Sequence, residues 1–215
     1  MVFSTALSLG FVIGSRILFV GNSHTQNGDV PGTVQKLLAS EKAFAGVTCS
    51  YFGVGLLNQW AGNPGLVRAV KDGGFDFAVL QGAAVSSSHR FTYSQASGIE
   101  LAKLLVNGGS KVYLVSEWPR RDWDETEYTE SIYRAMAKES GAEVIPVGRV
   151  WDGVRKRLNG IDLWQADGNH ANSMGSYLSS RVISRWLGGE KLNYVPAGIS
   201  PEFVDAIDAA YFDLN

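Results

Sequence analysis

Five short apolar runs punctuate the chain: RILFV (16–20), VTCSYF (47–52), DFAVLQ (76–81), KVYLVS (111–116) and EVIPV (143–147). Each is rich in β-branched and aromatic side chains and closes on small or polar residues, the pattern of short strands. Their apolar character is nearly continuous rather than alternating, so both faces of such strands must be covered. The segments between them carry apolar residues at helical spacing. In 31–44 these are Val34, Leu37, Leu38 and Phe44, with Pro31 in the first turn. In 94–107 they are Ile99, Leu101, Leu104 and Leu105. In 124–140, Asp124 and Glu127 form a D-x-x-E helix start ahead of a Tyr128, Ile132 and Met136 stripe. Met174, Leu178, Val182 and Trp186 recur every four residues before Gly188-Gly189, and 201–212 reads as a last short helix. Strands alternating with helices predict an α/β chain: a parallel sheet of about five strands in a three-layer α/β/α sandwich. No repeat, low-complexity tract or linker divides 16–215, which reads as one domain.

Composition narrows the function classes. With 215 residues, 45% of them hydrophobic and 19% charged, the chain has the make-up of an ordinary soluble globular domain. A net charge of −2 without a basic block gives no electrostatic support for a nucleic-acid partner. A lone Cys49 excludes an intrachain disulfide, and with only 3 His no tight His/Cys metal cluster can be assembled. No metal or cofactor is expected. Residues 1–15 carry no charge before Arg16 and resemble the apolar core of an export signal, although the basic n-region and A-x-A site are missing. They are too short and too rich in Ser, Thr and Gly for a stable membrane span. They read as a signal remnant or an apolar extension, and localisation, secreted or cytoplasmic, turns on which. Nothing in the sequence sets the oligomeric state.

In parallel α/β sheets ligands sit beyond the carboxyl ends of the strands, so the informative residues follow each run. After the first come Gly21, Asn22, Ser23 and His24: a tight turn that presents a serine at a helix start, either as cap or as nucleophile. After the second, GVGLLNQW offers backbone N–H groups at Gly53 and Gly55 and an amide at Asn58. Gln81 ends the third run with a carboxamide suited to an oxyanion or to a strand-end hydrogen bond. Beyond the fifth run, Asp167 and His170 stand three apart in the Gly/Asn-rich stretch DGNH. At that spacing a carboxylate reaches an imidazole Nδ1–H, fixing the tautomer and leaving Nε2 free to take a serine proton. Each signal alone also fits a turn or a cap. Together they fall where this architecture places its chemistry.

GNSHT after the first strand, the glycine after the second, an amide near the end of the third and DGNH before the last long helix resemble the SGNH (GDSL-type) hydrolase superfamily, across Arg16 to Trp186. The resemblance implies a flavodoxin-like fold, with Ser23 as nucleophile, His170 as general base and Asp167 orienting it. It further implies an oxyanion hole of the Ser23 N–H, a glycine N–H at Gly55 (or Gly53) and an amide, assigned to Gln81 with Asn22 and Asn58 as substitutes. Asn22 stands where the family usually has aspartate, and no G-x-N-D asparagine follows the third strand. Gln81-Gly82 looks instead like the Gln-Gly variant of certain carbohydrate acetylesterase branches.

The expected activity is hydrolysis of small acyl esters, acetyl above all, through a serine-bound acyl intermediate, with O-acetylated carbohydrate as the favoured substrate. A silent carbohydrate-binding relative and an acyltransferase using the same triad are the alternatives. His24 is disfavoured as base because adjacent helical residues diverge by about 100°, and His89 sits in a loop without an assigned role. Trp60, Trp118, Trp123, Trp151 and Trp164 are candidates for sugar stacking, each more readily explained as core or cleft wall. Arg120 and Arg121 are surface cations by default.

Overall fold

All five apolar runs become strands: β1 Arg16–Gly21, β2 Thr48–Gly53, β3 Phe77–Leu80, β4 Lys111–Ser116 and β5 Glu143–Pro146. The structure is a computed structural model that describes residues 14–214, so most of the 1–15 extension lies outside the described residues. The strands are parallel throughout and ordered β2-β1-β3-β4-β5. This is the doubly wound, flavodoxin-like order, with its switch point between β1 and β3.

Strand side chains alternate between two cores. Ile17, Phe19, Val79, Tyr113, Val115 and Ile145 face one layer. That layer is built by α2 (Val30–Ala39), α6 (Val147–Arg157), α7 (Ser173–Trp186) and α8 (Pro201–Phe212). Leu18, Val20, Ala78, Leu80, Val112 and Leu114 face the other. There α3 (Pro64–Asp72), α4 (Ala96–Asn107), α5 (Thr126–Ser140) and the 3₁₀ turn Leu57–Gly62 cover them. Leu18, Leu80 and Leu114 are wholly buried, and each contributes ~1.5–3 kcal/mol relative to exposure.

Several local expectations are corrected. The 31–44 helix ends at Ala39, and Phe44 belongs to a separate 3₁₀ turn, Lys42–Phe44. Asp124 does not open α5: the helix begins at Thr126, and the Glu125 that precedes it makes no capping bond because Arg120 engages its carboxylate. The fully buried positions of α5 include Thr129, Tyr133 and Met136; Ile132 packs at the edge of that stripe, whereas Tyr128 lies outside both cores and stacks on His89. Leu104 of α4 points to solvent. Two helices, α3 and α6, join those expected, and α6 starts at Val147 with no intervening loop after β5.

Candidate active site

The turn after β1 is a single helical turn, α1 (Ser23–Gln26), capped by Asn22, whose Oδ1 accepts the His24 N–H at 2.9 Å. Four residues generate little macrodipole, so any anion preference here comes from individual N–H groups. Gly21 is required by a close approach: a Cβ there would lie 2.3 Å from Thr25 Oγ1 and 2.7 Å from Gln81 Oε1. Ser23, just beyond, is exposed.

Asp167 and His170 sit in the connection from α6 to α7, and that connection is stiffly tied. Trp164 pairs with Ala171 in an antiparallel bridge, and the Gln165 N–H donates to the His170 carbonyl at 2.7 Å. The Asn172 side chain caps α7 at the Met174 and Gly175 N–H groups and donates to the Asp162 carbonyl. Trp118 Nε1 holds the Asn169 carbonyl at 2.9 Å, and the Arg121 N–H holds the Gly168 carbonyl at 2.7 Å.

Two segments 147 residues apart in sequence meet here. Ser23 Oγ lies 2.8 Å from His170 Nε2, and His170 Nδ1 lies 2.5 Å from Asp167 Oδ2. Asp167 Oδ1 accepts the N–H groups of Asn169 and His170 at 2.9 and 3.0 Å. The His170 hydrogen bond, followed by those two N–H groups, holds the Asp167 carboxyl well below the usual carboxylate range. An ionised carboxylate on Nδ1 fixes the imidazole tautomer with Nε2 facing the hydroxyl.

The expected oxyanion donors separate. The N–H groups of Ser23 and Gly55 have no hydrogen-bond partner among the described residues, and Gly55 is exposed beyond the end of β2 at φ 72. Gly53 is still within β2, in register with Gly21. Asn58 is exposed on the 3₁₀ turn. Asn22 Nδ2 is left without a partner among the described residues and lies near Gly82, where a Cβ would stand 3.5 Å from it and 2.9 Å from the Gly55 carbonyl. Gln81 is turned to a different task. It is buried behind the serine turn, Oε1 accepting the Asn22 N–H at 3.1 Å and the Thr25 hydroxyl at 2.7 Å, and Nε2 donating to Glu117 at 2.6 Å.

Glu117, which sequence reasoning missed, is the hub of this buried layer. Its Oε1 also accepts the Tyr133 hydroxyl at 2.8 Å, and its Oε2 faces His24 Nδ1 at 2.9 Å. Burial pushes the Glu117 carboxyl upward, yet His24, Gln81 and Tyr133 outweigh it and hold it below its ordinary value. The one signal available was a carboxylate closing an apolar strand. The other sequence candidates lie elsewhere. His89 stacks on Tyr128 and meets Glu125 at 3.1 Å, Arg120 pairs with Glu125, and Arg121 pairs with Asp162. Trp60, Trp118, Trp151 and Trp164 are buried, whereas Trp123 is half exposed beneath the Arg120 guanidinium. Among the described residues no three His, Cys, Asp or Glu side chains converge as a metal site, and no helix is long and apolar enough to cross a membrane.

Neither a family model nor a curated protein matches the chain in sequence. Solved structures do match in shape. A Bacteroides uniformis protein of the DUF4886 family superposes with a TM-score of 0.67 at 16% identity, covering 94% of each chain. A Slackia heliotrinireducens protein, provisionally described as an SGNH hydrolase, superposes at 0.63 with 21% identity over 81% of this chain and 100% of its own. The fold is that of the SGNH hydrolases. An acetylxylan esterase from Geobacillus stearothermophilus shares this SGNH fold at a TM-score of 0.63 and 14% identity, over 85% of this chain and 98% of its own.

Proposed function

We propose that this chain is a serine ester hydrolase that works through a Ser23 acyl-enzyme on small acyl esters, acetyl first among them, with O-acetylated carbohydrate as the substrate class. The observation that carries the reading is the Ser23–His170–Asp167 relay at 2.8 and 2.5 Å, assembled from segments that lie far apart in sequence. An exposed hydroxyl aimed at an imidazole whose far nitrogen is held by a carboxylate has the geometry of an activated nucleophile. The carbohydrate part rests on less: the acetylxylan esterase among the structural neighbours, and Trp123 as an exposed ring beside the strand ends.

In the proposed reaction Ser23 Oγ attacks the ester carbonyl carbon while His170 Nε2 accepts the hydroxyl proton. The C–O bond to the alcohol breaks as the imidazolium returns that proton to the leaving oxygen. Water, deprotonated by the same nitrogen, then releases the acid and restores the serine. The N–H groups of Ser23 and Gly55 are assigned to the developing oxyanion, with the Asn22 amide as third donor in place of Gln81. Each such donor is worth ~10²–10³-fold in turnover.

The test is a panel of p-nitrophenyl acyl esters and acetylated sugars, assayed beside Ser23→Ala. Turnover should fall roughly 10⁴-fold or more in the variant, and a fluorophosphonate probe should label the wild type but not Ser23→Ala. Folded wild-type protein that neither turns over nor labels would mark the chain as a silent binder. Transfer of the acyl group to an added alcohol in preference to water would mark it as an acyltransferase.

A further inference from the structure

His24 follows the nucleophile directly, yet its ring takes no part in the relay. It is one of a second pair of the same kind, with a carboxylate on Nδ1: Glu117 Oε2, 2.9 Å away. Since Glu117 is held as a carboxylate by Gln81 and Tyr133 as well, Nδ1 carries the proton and Nε2 points outward. There it meets Asn169 Nδ2 at 3.2 Å. Asn169 is the residue between Gly168 and His170, so His24 spans from the serine turn to the loop that carries the base. Its ring lies against the indole of Trp118, centroids 4.8 Å apart, and stands edge-on to His170 at 5.1 Å. Trp118 in turn stacks on the buried Trp151 at 4.9 Å. The column runs from the core to the catalytic loop, and Trp118 grips the same Asn169 through its backbone carbonyl.

The lower end of this strut is equally fixed. Glu117 ties His24 to the end of β3 through Gln81, and to α5 through Tyr133. The Tyr133 oxygen accepts the N–H groups of Gly82 and Ala83 at 3.1 and 3.0 Å. The turns after β1 and β3 are thereby locked to one buried carboxylate. Across the gap between the serine turn and the His170 loop there is less: the Ser23 side chain has His170 as its one hydrogen-bond partner among the described residues.

We propose that His24, anchored by Glu117, is a positioning residue that sets the Ser23-to-His170 separation by clamping the Asn169 side chain to the serine turn. The proposal rests on the esterase reading above. Protonation of His24 does not cut the clamp. The Asn169 carboxamide has no other side-chain partner among the described residues, and it can turn its oxygen toward a protonated Nε2.

Asn169→Ala and His24→Asn test it. An asparagine amide at position 24 reaches Glu117 where Nδ1 does now but stops short of Asn169. The readouts are the rate of labelling by a fluorophosphonate, normalised to folded protein, and kcat and KM for p-nitrophenyl acetate. Each variant should lose about tenfold to a hundredfold in labelling rate and in kcat, the scale of a sub-ångström to 1 Å misplacement, with KM little changed. Because both substitutions break one link, the double variant should be no worse than the poorer single. A purely structural role would lower Tm and leave the rate per folded molecule at the wild-type value. Wild-type rates in Asn169→Ala, or losses that multiply in the double variant, overturn the clamp. If His24→Asn does not fold, Asn169→Ala decides alone, since its backbone contacts are untouched. A wild type that fails to label sinks the esterase reading and the clamp with it; a labelled wild type with unaffected variants sinks the clamp alone.

Discussion

Asp167 shows how much one exposed side chain can be made to do. It accepts three hydrogen bonds, two from backbone N–H groups and one from the imidazole it orients. All three favour the charged form, so its carboxyl stays ionised far below the ordinary Asp value of 3.8. The sign follows: the orienting charge is present at every pH at which an esterase is assayed, and is lost only as pH falls through that depressed value. Asp167 is therefore not the group behind any loss of activity in mild acid. Asp167→Asn replaces one acceptor oxygen with an N–H donor and sets the imidazole in the wrong tautomer. Turnover of p-nitrophenyl acetate should drop roughly 10³–10⁴-fold with the Tm nearly unchanged. A loss of less than tenfold would mean that the backbone alone holds His170 in place.

At the level of elements, the loop that carries Asp167 and His170 is held by the way α7 packs. Gly175 lies in the first turn of that helix, where alanine is ordinarily better by up to ~1 kcal/mol. Here a Cβ would stand 2.4 Å from the Leu163 carbonyl oxygen and 2.4 Å from the Trp151 ring. Those neighbours cannot both yield, because Leu163 accepts the Asn172 N–H and Trp151 is the wholly buried base of the aromatic column. Overpacking of this kind costs ~1–3 kcal/mol, which outweighs the propensity gain. Gly175→Ala should lower Tm and also slow fluorophosphonate labelling, since the displaced Leu163–Trp164 segment bears the Asp167/His170 loop. Thermal melts beside labelling rates check both halves. Most of these elements were legible in the sequence, because the central strands are apolar on both faces and the larger helices carry stripes. The two that were not have physical reasons. The α3 helix buries only Leu66 fully, with Val67, Ala69 and Val70 partly covered, and its 9 residues repeat that stripe for little more than two turns. The α6 helix starts directly at Val147 and ends in Arg155-Lys156-Arg157, so its first residue reads as strand and its last turn as loop.

Over the whole molecule, the relay was readable because topology fixes where strand ends gather, so two short motifs sufficed to place Ser23, Asp167 and His170 together. The Glu117 hub was not, because its partners come from the turn after β1, the end of β3 and the middle of α5, with no spacing to connect them. That hub should nonetheless leave a mark on global stability. Burial works against a charged His24, but the charge and hydrogen bond of Glu117, aided by Asp167, hold it above its ordinary 6.5. A raised histidine contributes in full below 6.5, and its contribution fades as pH climbs through the higher folded value. Glu117 is displaced the other way, below 4.5; its contribution is complete above that value and fades as pH drops through the lower folded one. Both are present together between about 4.5 and 6.5. Glu117→Gln keeps the shape and removes the charge. The Tm gap between wild type and Glu117→Gln should therefore be widest near pH 5–6 and narrow toward pH 9, leaving a residue from hydrogen bonds that do not titrate. Melts at matched ionic strength across pH 4 to 9 measure it. A gap that is flat, or that widens with alkali, would show that His24 is neutral in the folded protein throughout and that Glu117 acts only as a hydrogen-bond acceptor.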